Sequence, residues 1–115
     1  MSRLIKSFGF AAAGITHAFK TQPNFRFHTL ACILVVLAGF FFKLNAAEWL
    51  WILAAIAMVL VSELLNTAIE VLVDLVSPEY NKKAGVVKDA AAGAVLIAAI
   101  IAVAIGLIIF IPKIF

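Results

Sequence analysis

The chain has 115 residues, 66% of them hydrophobic and only 13% charged; a soluble domain lies nearer half apolar and a quarter charged, so this composition excludes one and predicts a single integral membrane domain. Nine Lys and Arg against six Asp and Glu give a net charge of +3, scattered over the polar stretches, whereas a nucleic-acid binder concentrates its basic residues on one face. The lone cysteine, Cys32, excludes an intrachain disulfide, and no Cys/His cluster has metal-ligand spacing.

In chain order, the N-terminal stretch "MSRLIKSFGFAAAGI" has a charged start, but its apolar run is short and broken by glycine. It is predicted to be a retained segment and not a signal peptide. Leu4, Ile5, Phe8, Ala11, Ala12, Ile15 and Phe19 recur at helical spacing, with Arg3, Lys6, Ser7 and Thr16 elsewhere. That pattern predicts an amphipathic helix lying in the membrane interface, with its turn over 1–24; the alternative is a mobile tail. His17 has no motif around it and reads as a polar residue of this surface helix.

Three membrane helices follow, at about 27–43, 47–76 and 88–111. Cys32 lies inside the first and reads as a small packing residue. "KLNAAEW" is a tight connection that makes the first two spans antiparallel neighbours. The second is purely apolar only from Trp49 to about Val61, which is too short, so its helix must continue through Glu63 and Asn66 to reach the length of a span. In "SPEYNKKAG", Ser77 can cap a short turn of helix, Pro78 suits its first position and Gly85 can end it. Arg3, Lys6, Lys20, Arg26, Lys82, Lys83 and Lys88 fall on one side of the membrane and only Lys43 and Lys113 on the other. This asymmetry predicts a cytoplasmic N-terminus and a C-terminus on the opposite face, with Trp49 and Trp51 near that opposite interface.

The second span carries an unusual set of groups. At 100° per residue Glu63, Glu70 and Asp74 fall within about 40° of one another, with Asn66 about 60° from Glu63, in a polar stripe about 16 Å long. Lipid cannot solvate such a stripe, so it faces protein or an aqueous cleft. Two readings stay open. The stripe can hold helices together by pairing with Arg26, Lys88 or Lys6, although buried ion pairs stabilise poorly. Alternatively it can be catalytic: a carboxylate removed from water is a stronger base, and one nearer water can hold a divalent cation.

"ELLNTAIEVLVD", followed by "PEYNKKAGVVKDAAAGAVLIAAI" and preceded by "FGFAAAGITHAFKTQPNFRFH", resembles the prokaryotic diacylglycerol kinase / undecaprenol kinase family over nearly the whole chain. The resemblance implies an all-α membrane protein, an N-terminal amphipathic surface helix plus three transmembrane helices, assembled as a homotrimer in the bacterial inner membrane. It also implies transfer of the γ-phosphate of ATP, with Mg²⁺, to a membrane lipid alcohol, without the G-x-x-x-x-G-K-[ST] loop of soluble kinases, which this sequence lacks.

On the matching positions, Glu63 corresponds to the base that takes the lipid hydroxyl's proton, and Asn66 to a residue that orients base or hydroxyl. Glu70 corresponds to a magnesium ligand, and Lys88 and Asp89 to nucleotide contacts. Arg3, Phe10 and the loop residues Glu79, Tyr80 and Asn81 fall at nucleotide-proximal positions, and Arg26 and His28 join Glu63 at the lipid substrate. There are departures. Gln22 stands where the family usually has a second metal-binding glutamate, so its carbonyl oxygen remains but its charge does not; Phe10 stands where some members have tyrosine. His28 and "AEW" look more like the undecaprenol branch, with diacylglycerol as the alternative acceptor, although His28 can equally be an interfacial residue reaching water. Asp74 reads as the partner of a cytoplasmic lysine. Readings of another class are a scaffold without activity, which the small residues of span three allow, and a small transporter subunit. Against a proton relay, the stripe ends near mid-membrane and span three has no ionisable residue.

Overall fold

The computed structural model describes residues 2–115, and all regular structure among them is helical. The elements are α1 (Ser2–Thr21), α2 (Pro23–Phe41), α3 (Ala46–Val76) and α4 (Lys82–Ile114). The last three are long and apolar enough to cross a membrane. The N-terminal segment is a helix and not a tail, and its large apolar side chains, among them Leu4, Ile5, Phe8 and Ile15, are exposed. Only Ala18 of this helix is buried against the rest.

A single residue joins α1 to α2. Gln22 is extended (φ −116°, ψ 104°), its amide donates to Ala18 O at 2.9 Å, and Pro23 opens the next helix. Proline suits that position because its missing N–H would lack an intrahelical partner anyway. Arg26 then reaches back, its Nη1 donating to the carbonyls of Phe19 at 2.8 Å and Lys20 at 3.1 Å. Those carbonyls are among the last four of α1, which a helix leaves without partners of its own.

The turn between α2 and α3 is built from backbone. Leu44 N donates to Gly39 O at 3.1 Å and Lys43 N to Phe40 O at 3.3 Å, with Lys43 in the left-handed region at φ 55°. This is a Schellman closure with lysine where glycine is usual. Asn45 then caps α3: its side chain accepts from Glu48 N at 2.9 Å while Glu48 Oε1 accepts from Asn45 N at 3.0 Å. The reciprocal pair satisfies two donors that the helix start would otherwise strand. Trp49, one turn in, lies against Gly39.

The third helix runs unbroken for 31 residues through Glu63 and Asn66. Its buried positions are Ile52, Ala55, Val59, Glu63 and Thr67. They recur every three or four residues, so one seam of the helix begins apolar and turns polar at Glu63. The seam faces mainly α4, the most extensive packing partner of α3. An ion pair joins the two at each end: Lys113 Nζ to Glu48 Oε2 at 3.1 Å and Lys88 Nζ to Asp74 Oδ1 at 2.6 Å.

The connection between them corrects the sequence reading. Residues 77–81 contain no helical turn; Ser77 closes α3, and Gly85 lies inside α4. The stronger cap is Asn81, whose side-chain oxygen accepts from Lys83 N at 2.8 Å and Ala84 N at 3.4 Å. It starts α4 at Lys82, ahead of the expected 88. The first span likewise begins at Pro23, ahead of the expected 27.

Candidate active site

Glu63 is the most deeply buried ionisable residue on α3, at 2% exposure. Its neighbour on the same seam, Thr67, donates its hydroxyl to Glu63 O at 3.0 Å and so keeps its own oxygen from going unpaired. Across from it, His28 Nε2 of α2 lies 3.2 Å from Glu63 Oε1. That is ion-pair reach but not the direction of a hydrogen bond, and Oε1 has no other partner. A buried carboxylate oxygen without a hydrogen bond is costly, so its presence calls for a function.

One and two turns further on come Asn66 and Glu70, both half-buried. Asn66 Nδ2 donates to Glu70 Oε1 at 3.2 Å, which leaves Asn66 Oδ1 buried and without a partner. An orphaned amide oxygen beside a carboxylate is a donor set for a hard divalent cation, whose other ligands come from water and phosphate. No group of three or more His, Cys, Asp or Glu able to hold a metal occurs among the described residues. Asp74 ends the stripe, exposed and paired with Lys88.

Leading away from Glu63 toward the opposite face is an apolar groove of about 440 Å³ between α2, α3 and α4. Ala31, Ala55, Ala99, Ala102 and Gly106 leave it room by their small side chains, and Val59, one turn from Glu63, is also in its lining. His28 stands at the Glu63 end. Apart from the weakly polar thiol of Cys32, it is the one lining side chain able to hydrogen-bond.

The structure thus joins His28, Glu63, Asn66 and Glu70 into one constellation. It turns Arg26 away to the end of α1 and commits Asn81 to capping α4. Lys88 is held by Asp74, and Asp89 is exposed beside it. Glu79 and Tyr80 are exposed in the connection, Tyr80 at 90%. Arg3 and Phe10 are exposed on α1. Gln22 sits half-buried at the α1–α2 junction, and its side chain makes no cap bond. Two features escaped sequence reasoning, the His28–Glu63 contact and the Arg26 cap. The first had a signal: counted outward from the α2–α3 turn, His28 and Glu63 fall within about one helical turn of the same level on antiparallel helices.

Comparison with known proteins agrees with the geometry. The sequence profile of the family described as prokaryotic diacylglycerol kinase matches residues 9–110. An undecaprenol kinase of Bacillus subtilis is 44% identical over 113 residues, 98% of this chain and 92% of that protein. A diacylglycerol kinase of Synechocystis is also 44% identical, over 110 residues that make up 95% of this chain. This chain spans only 63% of that protein's length. A diacylglycerol kinase of Escherichia coli is 33% identical over 102 residues, 89% of this chain and 84% of that protein.

Proposed function

Because the chain belongs to the prokaryotic diacylglycerol kinase family of membrane lipid kinases, we propose that it transfers the γ-phosphate of ATP to undecaprenol. One observation carries this reading: a buried carboxylate with an unpartnered oxygen, Glu63, stands beside an apolar groove lined by its neighbours His28 and Val59, with Asn66 and Glu70 following it along α3. The groove suits the tail of a lipid and the carboxylate suits its hydroxyl. In the transfer, Glu63 takes the hydroxyl proton as the lipid oxygen bonds to the γ-phosphorus. The bond from that phosphorus to the bridging oxygen breaks, and ADP leaves with the electron pair.

Glu70 and the free Oδ1 of Asn66 would hold Mg²⁺, with the carbonyl of Gln22 as a further oxygen ligand. When bound, the ion neutralises charge on the phosphates and fixes their orientation. Asn66, fixed by its bond to Glu70, keeps the metal end of the stripe in register with the base. Lys88 supplies a phosphate contact once it leaves Asp74, and Arg3, Phe10, Glu79, Tyr80, Asn81 and Asp89 border the nucleotide. Arg26 acts through the lie of α1, whose end it caps.

The lining of the groove favours undecaprenol over diacylglycerol. Diacylglycerol carries two ester carbonyl groups close to its hydroxyl, and burying them against alanine and valine without hydrogen bonds is unfavourable. A polyprenol carries none. The name of the Bacillus relative supports the same acceptor.

The protein would work as a homotrimer in the bacterial cytoplasmic membrane, its N-terminus and the 77–81 connection in the cytoplasm and its C-terminus on the other side. The distribution of basic residues supports that orientation. The testing experiment is transfer of labelled γ-phosphate from Mg·ATP by the purified protein in mixed micelles, with undecaprenol and diacylglycerol offered separately. Label on undecaprenol is expected, and label only on diacylglycerol would reverse the assignment. Glu63→Gln should abolish transfer while the oligomer survives, because an amide cannot accept the proton; retained activity would remove Glu63 as the base.

A further inference from the structure

We propose that His28 is a positioning residue for Glu63, aiming its carboxylate at the end of the apolar groove where the acceptor hydroxyl must arrive. The inference rests on the lipid kinase reading and adds a residue to it.

Four observations support this role. His28 Nε2 is 3.2 Å from Glu63 Oε1, and no other side chain among the described residues pairs with that oxygen. The Glu63 side chain is 3% exposed and that of His28 21%, so the imidazole is the more open member of the pair. Thr67, the buried polar side chain next along the seam, is spent on the Glu63 carbonyl and does not reach the carboxylate. The remaining walls of the groove are apolar apart from the thiol of Cys32. Only a carboxylate rotamer that faces the groove can meet a hydroxyl arriving there. An imidazole beside Oε1 selects that rotamer and leaves the second oxygen for the substrate.

The contact lies outside ideal hydrogen-bond direction, which fits a pair that tightens when substrate fills the groove; catalytic hydrogen bonds are often long or misaligned in the free enzyme. Other charged groups of the neighbourhood are engaged elsewhere. Arg26, two residues before His28, is turned to α1, Lys88 pairs with Asp74, and Glu70 is held by Asn66. The nearest ionisable partner of His28 is Glu63, so its action passes through that carboxylate.

The test compares His28→Gln with His28→Leu in the full-length oligomer. Glutamine places an amide N–H about where Nε2 stands, while leucine fills the groove end without a donor. If His28 positions Glu63, the leucine variant should lose about ten- to a hundredfold in kcat. Glutamine should recover most of the loss, and the KM for Mg·ATP should be unchanged in both. A packing role predicts the reverse order, because leucine suits an apolar wall better than an amide does. Leucine as active as the parent chain, or glutamine as impaired as leucine, would overturn the proposal while leaving the kinase reading intact.

A second measurement does not disturb His28 at all. The chain has two histidines, so ¹⁵N-histidine labelling gives two sets of imidazole signals, one pair of ring nitrogens each. Glu63→Gln should move the signal of His28 and leave that of His17, which lies against α3 near Thr67 and Ala68. Two unmoved sets would overturn the contact. Retained activity in Glu63→Gln would instead refute the base, whatever His28 does.

Discussion

Replacing Gly39 by alanine puts a methyl group where the indole of Trp49 already lies. A Cβ at Gly39 would sit 2.5 Å from Trp49 Cη2, 2.9 Å from Cζ2 and 3.1 Å from Leu44 Cδ1. Carbon–carbon contacts are best at about 3.5–4.0 Å, so the ring must retreat by about 1 Å. Forcing an extra carbon into a packed site costs about 1–3 kcal/mol. Alanine recovers about 1 kcal/mol of helix propensity over glycine, which leaves a net loss of up to about 2 kcal/mol. The change is read by unfolding the protein in detergent while following tryptophan emission. Trp51 is exposed before and after, so a spectral shift reports Trp49 leaving its seat. Trp49→Phe in the same chain removes the obstructing ring carbons, and the double variant should be more stable than the sum of the two single losses. A Gly39→Ala protein more stable than its parent by the full propensity gain of about 1 kcal/mol would show that the turn between α2 and α3 is not held by this contact.

Three further outcomes are expected. Gln22→Glu should lower the Mg²⁺ concentration needed for half-maximal transfer, and an unchanged dependence would remove Gln22 from the metal site. Asp74→Asn should release Lys88 for phosphate and lower the KM for Mg·ATP by about two- to fivefold. The difference should shrink at high ionic strength, since the pair is open to solvent; a raised KM would instead make Asp74 part of the nucleotide site. Lys43→Gly should raise stability by about 0.5–1 kcal/mol by relieving the left-handed residue at φ 55°. A loss of stability would mean that the lysine side chain, and not the backbone, holds the turn.

Hydropathy and period carried the sequence reading a long way, because both report directly on depth and face. The three spans follow from apolar length, and the continuation of α3 through Glu63 follows because the apolar part alone cannot cross. The polar stripe follows from helical angles. What failed was competition between local signals: Ser77, Pro78 and Gly85 together resembled a short helix, and Asn81 won because its side chain satisfies two amides of α4 at once. What stayed hidden was direction across helices. Arg26 sits beside a motif that suggests substrate, yet its long side chain finds nearer acceptors in the open end of α1. Lys88 was one of three cations offered to the stripe, and only coordinates select it for Asp74.

The one-residue junction at Gln22 has a consequence for the setting in which the protein works. By rise per residue, the 19 residues of α2 span about 28 Å, close to the thickness of a bilayer's hydrocarbon core. The 31 residues of α3 and 33 of α4 reach about 46 and 50 Å and must project or tilt. Read as an interfacial helix from its exposed apolar face and clamped to the first turn of α2 by Arg26, α1 would act as a float that fixes where that short helix begins. His28 is then set at a nearly constant depth, while α3 can tilt with the thickness of the surrounding lipid and slide Glu63 past it. On the proposed roles, hydrophobic mismatch would therefore act on the alignment of Glu63 and His28, and the acyl length of the host membrane would become a third input beside nucleotide and acceptor.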